Sequence, residues 1–273
     1  MAVLSVDLAY RRWRDLGLVV LERARPSATA SAQADPVASA TDGAVGTEAV
    51  KNPIRCEIIS MDEPGTVDAN ILAGRLNHLC GVRGIRVIML DGPQAWKSVN
   101  NGLEHARVSE RRLNTAAKTG LPGMVKPVTY RAFAEFCVDV YDGLCRRGWR
   151  RLETHEQPCS PGERVLVESY PHAAWRSLGL KPLASKARAG TKEIDEALAA
   201  LRTVVPIVLN CPPSHDQLQA IVAGLPGLAL EENDADGARI VGFPPRREEG
   251  HWREGFIVLP VAPNRASRLK WLS

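Results

Sequence analysis

Three short apolar runs in this chain each end on a carboxylate. Val3-Leu4-Ser5-Val6 leads into Asp7, the run from Ile85 to Leu90 delivers Asp91, and Val165-Leu166-Val167 delivers Glu168. Short β-branched runs bounded by Gly and Pro read as buried strands. In open α/β sheets, ligands sit outside the carboxyl ends of the parallel strands. If these strands are parallel neighbours, three acids meet on one edge of a sheet, and burying them together requires partners or a cation.

The rest of the chain supports a mixed sheet. Residues 2–7 and 16–22 read as a hairpin, and Ile54–Met61 as a third strand. Thr66–Cys80 has helical spacing and is punctuated by Gly81 and Gly84, and the strand ending at Asp91 follows. Residues 94–129 are polar and basic with no clear strand. Tyr130–Cys145 carries the best apolar helical stripe, and the Glu168 strand turns through Ser169-Tyr170-Pro171 into a short helix. Thr191 opens another helix. Ser214-His215-Asp216-Gln217 fits a capping box, placing a last helix from there to about Gly224. Residues 238–243 and 256–259 read as a terminal strand pair. The predicted fold is therefore α/β, with an antiparallel three-strand meander followed by parallel β-α-β crossovers and flanking helices.

Residues 24–52 are dominated by Ala, Ser, Thr, Gly and Pro and offer little apolar surface to bury. They read as a flexible insertion within one domain spanning 1–273. The six cysteines form no C-x-x-C pair, and the expected setting is a reducing cytoplasm. Arg11-Arg12 before Leu16–Leu21 loosely imitates an export signal, but Glu22-Arg23 end its apolar core after six residues. Export signals need roughly 7–15 there. No run is long enough for a membrane span. A net charge of +4 permits an anionic partner without requiring one.

Several motifs recur in an ordered set: Asp7 in V-D-L-A-Y, Asp91-Gly92-Pro93, Ser109-Glu110-Arg111-Arg112, Glu168-Ser169-Tyr170-Pro171-His172, Ser185-Lys186 and Glu254-Gly255-Phe256-Ile257. This set resembles the domain-of-unknown-function family described as predicted RNase H-like nucleases. The resemblance implies an RNase H-like fold and divalent-metal-dependent phosphodiester hydrolysis on nucleic acid. Three features depart from the pattern. Tyr10, Arg11, Arg12 and Trp13 follow Asp7 where the family more often has small residues. Residues 66–80 offer only Asp68 where RNase H enzymes carry a metal-binding Glu, and Asp216-Gln217-Leu218-Gln219-Ala220 keeps only the first acid of D-x-x-D-A.

The candidate site follows from these residues. Asp7 and Asp91 would hold Mg²⁺ or Mn²⁺, since such ions take one or two carboxylates plus water and phosphate. Each acid could instead cap the segment beginning beside it. Glu168 would be a third ligand or a base, with a salt bridge to an Arg as the alternative. Asp216 would complete the set, although an acid in a first helical turn also suits the macrodipole. Arg111, Arg112, Lys186 and Arg188 could grip phosphates or simply be solvated. His172, a possible proton shuttle, also reads as a surface residue at a helix start, and His215 and His251 lack zinc-ligand spacing. Trp13, Trp96 and Trp175 could stack bases or pack the core. Two other readings stay open: a non-catalytic binding module for a nucleotide or nucleic acid, and a hydrolase of a small phosphorylated metabolite.

Overall fold

The computed structural model describes residues 1–23, 52–154, 160 and 162–262. The insertion expected at 24–52 lies outside the described residues except at its final position.

The N-terminal meander forms from two continuously buried strands and one alternating strand. β1 (Ala2–Asp7) pairs antiparallel with β2 (Gly17–Arg23), and β2 pairs antiparallel with β3 (Ile54–Ile59). α1 (Ala69–Arg83) starts three residues later than its apolar spacing suggests, because the Asp68 carboxylate accepts from the Asn70 and Ile71 amides at 2.9 and 2.8 Å. The one acid available near the first helix is thus its N-cap. β4 (Val87–Asp91) then returns parallel to β1.

An excursion follows, holding α2 (Val108–Leu113) and the two-residue strands β5 (Lys118–Thr119) and β6 (Val125–Lys126). α3 (Arg131–Cys145) brings the chain back to β7 (Arg150–Arg151) and to β8 (Val165–Ser169), which is parallel to β4. α4 (Pro171–Ser177), α5 (Thr191–Val204), β9 (Ile207–Leu209) and α6 (His215–Glu232) come next. The described residues end in β10 (Ala238–Val241), the hairpin β11 (Arg246–Glu248) with β12 (His251–Arg253), and β13 (Ile257–Pro260). The main sheet runs β10-β13-β8-β4-β1-β2-β3-β9, with β7 also alongside β8. The protein is therefore mixed α/β, a mixed sheet flanked by helices. No helix among the described residues is long and apolar enough to cross a membrane.

The pleat divides the core. Leu4, Val6, Leu18, Val20, Ile88 and Leu90 face Leu72, Leu76, Val140 and Tyr141 of α1 and α3. Val3, Val19, Leu21, Val87, Met89 and Val167 face Leu218, Ile221, Val222 and Leu225 of α6, with α4 and α5 beyond.

Two expectations need correction. β9, absent from the sequence reading, forms after Pro206 as a three-residue strand parallel to β3, too short to show a period. α6 does not stop at Gly224 but runs on to Glu232 through an internal Pro226. Its glycines are contact points rather than stops. A Cβ at Gly224 would lie 2.5 Å from Leu21 Cδ1 and 2.7 Å from Ser5 Cβ, and one at Gly227 would lie 2.7 Å from Val3 Cγ1. Bare backbone lets the helix lie directly on the central strands, and that burial outweighs helix propensity.

Gly224→Val should therefore cost about 1–3 kcal/mol through overpacking, whereas Gly81→Ala in α1, which meets nothing within 4 Å, should be neutral or stabilising by up to about 1 kcal/mol. Thermal melts of the two variants beside wild type check this; equal melting points would show that α6 does not need its close approach.

Candidate functional site

β1 and β4 are parallel and in register, with Asp7 opposite Asp91. Both carboxyls sit half-buried at the carboxyl edge of the sheet and hydrogen-bond to each other. Gly92 (φ 152°) turns the chain sharply after Asp91, where a Cβ would strike Cys137 Sγ at 2.5 Å. Burial pushes the Asp7 carboxyl well above the usual carboxylate range. The charges of Asp91 and Asp216 push it further, and Lys186 partly relieves it. Asp91 is raised to about 7, by burial and then by Glu168. Two close acids that cannot both ionise share a proton, and a cation is the natural substitute for it.

Asp216 enters the same field from α6. Its helix begins with the expected reciprocal cap, Ser214 N–H donating to Gln217 Oε1 at 2.8 Å and Gln217 N–H to Ser214 Oγ at 3.3 Å. The Asp216 carboxylate accepts from Lys186 Nζ and faces His215 Nδ1 at 2.9 Å, while His215 Nε2 lies 2.9 Å from the Ala184 carbonyl. Lys186 also donates to Asp15 at 3.0 Å, and Arg12 holds Asp15 from the other side. Lys186, read from sequence as a phosphate contact, is thus strung between two carboxylates at the rim of the acid pair.

Glu168 has a different setting. It is fully enclosed, and Arg107 donates to its two oxygens, Nη2 to Oε1 at 2.6 Å and Nη1 to Oε2 at 2.7 Å. The Gln94 amide adds a third donor at 3.0 Å. The other side of Arg107 binds Glu110 Oε1 through Nε and Nη2 at 3.1 and 2.9 Å, and Glu110 also takes the Arg107 and Thr119 amides. Burial disfavours charge on Arg107, but Glu168 and Glu110 more than offset it and hold the guanidinium protonated. Burial pushes Glu168 up against that pull. The salt bridge offered as the alternative for Glu168 is the geometry observed.

Glu254 is a second anchor of this kind. It accepts from the Ser98 and Val108 amides, both at 2.9 Å, and from Asn101 Nδ2 at 2.6 Å. Three motif acids, Glu110, Glu168 and Glu254, therefore pin the excursion between β4 and α3 to the sheet. Arg107 is the residue that sequence reasoning missed. Its available signal was Glu110 three positions on, the spacing of an acid that reaches back to a helix-start amide.

The remaining candidates separate from the pair. Arg111 and Arg112 are exposed in the last turn of α2, and Arg112 lies over Phe243 at 5.8 Å, beyond β10 at the far side of the sheet. Arg188 and His251 are exposed. His172 is exposed in the first turn of α4, 6.0 Å from the Tyr170 ring, with burial and Arg176 lowering its pKa. Trp13, Trp96 and Trp175 are buried; Trp175 Nε1 donates to Gln219 at 2.8 Å and Trp13 carries Arg75 over its ring at 4.9 Å. Their role is core packing.

No family model matches the chain, and no curated protein does. Among solved structures, the Thermus thermophilus RuvC structure aligns over 85% of this chain and 97% of that one, at 12% identity and a TM-score of 0.36.

Two outcomes follow. Arg107→Met, which strands two buried carboxylates, should cost about 3–5 kcal/mol in urea unfolding, and Arg107→Lys should recover only part of it because an ammonium cannot bridge both acids in bidentate fashion; a loss under about 1 kcal/mol for Arg107→Met would show that the cluster is not an anchor. Asp91 binds its proton more tightly folded than unfolded. Its penalty is therefore absent below an unfolded value of about 4 and grows as pH rises to about 7. In EDTA, Asp91→Asn should melt level with wild type near pH 4 and above it at pH 8, by about 2–4 °C for each kcal/mol regained.

Proposed function

We propose that the protein is a divalent-metal-dependent phosphodiesterase acting on nucleic acid, built as one RNase H-like domain. The observation that carries this reading is the in-register Asp7–Asp91 pair, two carboxyls that face each other at the edge of the sheet, with burial and their neighbours' charges pushing both up. The donor set suits one Mg²⁺ or Mn²⁺ bound by two carboxylates and completed by water and phosphate oxygens. The described residues contain no group of three or more acid, His or Cys side chains arranged to hold a metal, so a two-ion arrangement lacks its donors.

In this reading Asp7 and Asp91 would hold the ion, which would supply Lewis-acid stabilisation of the phosphoryl oxygens. Asp216, kept by Lys186 and His215 within the field of Asp7, is the acid placed to accept a proton. Lys186 is half-exposed and can turn from its carboxylates toward a substrate phosphate. Glu168 acts on the site indirectly, by fixing the wall beside Asp91 and raising its pKa. Arg111 and Arg112 are left as contacts for a more distant part of a polyanion.

The shortage of acids favours one other reading, a non-catalytic nucleic-acid or nucleotide module using the same cleft. Calorimetry separates the two. Mn²⁺ should bind wild type and should not bind Asp7→Asn or Asp91→Asn, and Mn²⁺-dependent cleavage of an oligonucleotide should disappear with both substitutions. Wild type that binds neither Mg²⁺ nor Mn²⁺, even with an oligonucleotide present, sinks the enzyme. Metal-independent binding that survives Asp7→Asn would then establish the module. Turnover of small phosphoesters without polymer cleavage would point to a metabolite hydrolase.

A further inference from the structure

Beside the acid pair lies a cavity of about 150 Å³ whose walls are mostly apolar. Tyr130, Phe133 and Tyr170 supply aromatic faces, Ala117 and Ala134 supply small ones, and Asp91 stands at its edge. The Tyr170 ring is half-buried in this wall, with the Ala116 backbone beside its hydroxyl. The Arg107–Glu168–Glu110 cluster also lines the cavity. Each of its four carboxylate oxygens already accepts hydrogen bonds within the protein, so it gives the cavity a rigid boundary.

One polar atom is different. Ser169 follows Glu168 in β8 and stands opposite Asp91 in the register. It lines the cavity at 2% exposure, and its Oγ has no hydrogen-bond partner among the described residues. A buried hydroxyl left unpaired is costly, and what would satisfy it is a ligand with a hydrogen-bonding edge. A void of about 150 Å³ accepts a single six-membered ring. Flat walls, one buried hydroxyl and room for one ring describe a receptor for a small planar heterocycle.

Phe133 also belongs to a second aromatic group. Its ring lies 6.3 Å from that of Tyr10, which is likewise 6.3 Å from Phe136, and Tyr10 comes three residues after Asp7. Aromatic surface therefore flanks the acid pair from the cavity to the loop after β1. Bases of a single strand stack on such surfaces, whereas bases inside a duplex cannot reach them.

We propose that this cavity receives one unstacked pyrimidine base, so that the substrate of the acid pair is single-stranded or locally opened nucleic acid. The choice of substrate rests on the nuclease reading; the base site itself does not. A base seated against Tyr130, Phe133 and Tyr170 would bring its own backbone to Asp91, with the Ser169 hydroxyl reading the polar edge of the ring.

The test is calorimetric binding in EDTA, with oligothymidine and oligoadenine octamers and the duplex they form. Oligothymidine should bind wild type more tightly than either other probe. Ala117→Phe, which fills the cavity, should weaken that binding by about tenfold or more, and Ser169→Ala should weaken it roughly three- to tenfold. Both variants are first melted beside wild type, and if Ala117→Phe fails to fold, Ser169→Ala carries the test alone. Oligothymidine affinity unchanged in the folded variants, or a duplex bound as tightly as the single strand, overturns the base site. Metal-dependent cleavage is scored separately. Its absence alongside the expected binding removes the nuclease and keeps the pocket, whereas cleavage and oligothymidine affinity both indifferent to the two variants keep the nuclease and remove the pocket.

Discussion

The guanidinium of Arg107 is the interaction on which the site's architecture depends. It is buried between Glu168, at the end of a central strand, and Glu110, in the first turn of α2. An excursion of polar, basic sequence has little apolar surface with which to dock. This one docks through charge and through backbone amides closed onto carboxylates at Gln94, Ser98, Val108 and Thr119. Charge-assisted bonds in a low-dielectric setting are strong when every partner is satisfied. The cluster thus converts a loop into a wall, and the wall bounds the cavity beside Asp91.

Acids that close neighbouring strands meet opposite fates here, and the difference is local. Glu168 has a cation across from it and amides around it. Asp7 and Asp91 have each other, with Asp216 and Lys186 at the rim. Parallel register permits no escape, because a carboxylate at the same level of adjacent strands stays at that level whatever its rotamer. The buried motif acids Glu110, Glu168 and Glu254 all accept from donors on the protein, whereas Asp7 and Asp91 face each other. Perturbed carboxyls in a cleft mark functional candidates for this reason.

Much of the framework was legible because it is written in short-range patterns. Short β-branched apolar runs located β1, β4 and β8 with their acids, the Ser214–Gln217 cap located the start of α6, and the stripe from Phe133 to Leu144 located α3. What was hidden depends on pairings distant in sequence. Arg107 reaches Glu168 across 61 residues, so nothing in either segment alone separates a metal ligand from an anchored acid. Lys186 meets Asp15 across 171 residues. Gly224 and Pro226 read locally as an ending, and only contact with Ser5 and Leu21 explains why the helix passes through them. Arg111 and Arg112 stand out in the sequence as basic residues, yet it is Arg107, four and five residues earlier, that is buried among the acids.

α6 has a consequence for how the chain can be made. It covers one face of β1, β2 and β4, elements complete by Asp91, yet it is not itself complete until Glu232. As the chain emerges from the ribosome, Val3, Val19, Leu21 and Met89 have no helix to cover them through the whole synthesis of the excursion, α3, β8 and α5. An apolar sheet face left open for that long is a surface on which nascent chains aggregate. Truncation anywhere before α6 therefore leaves the apolar face without its cover.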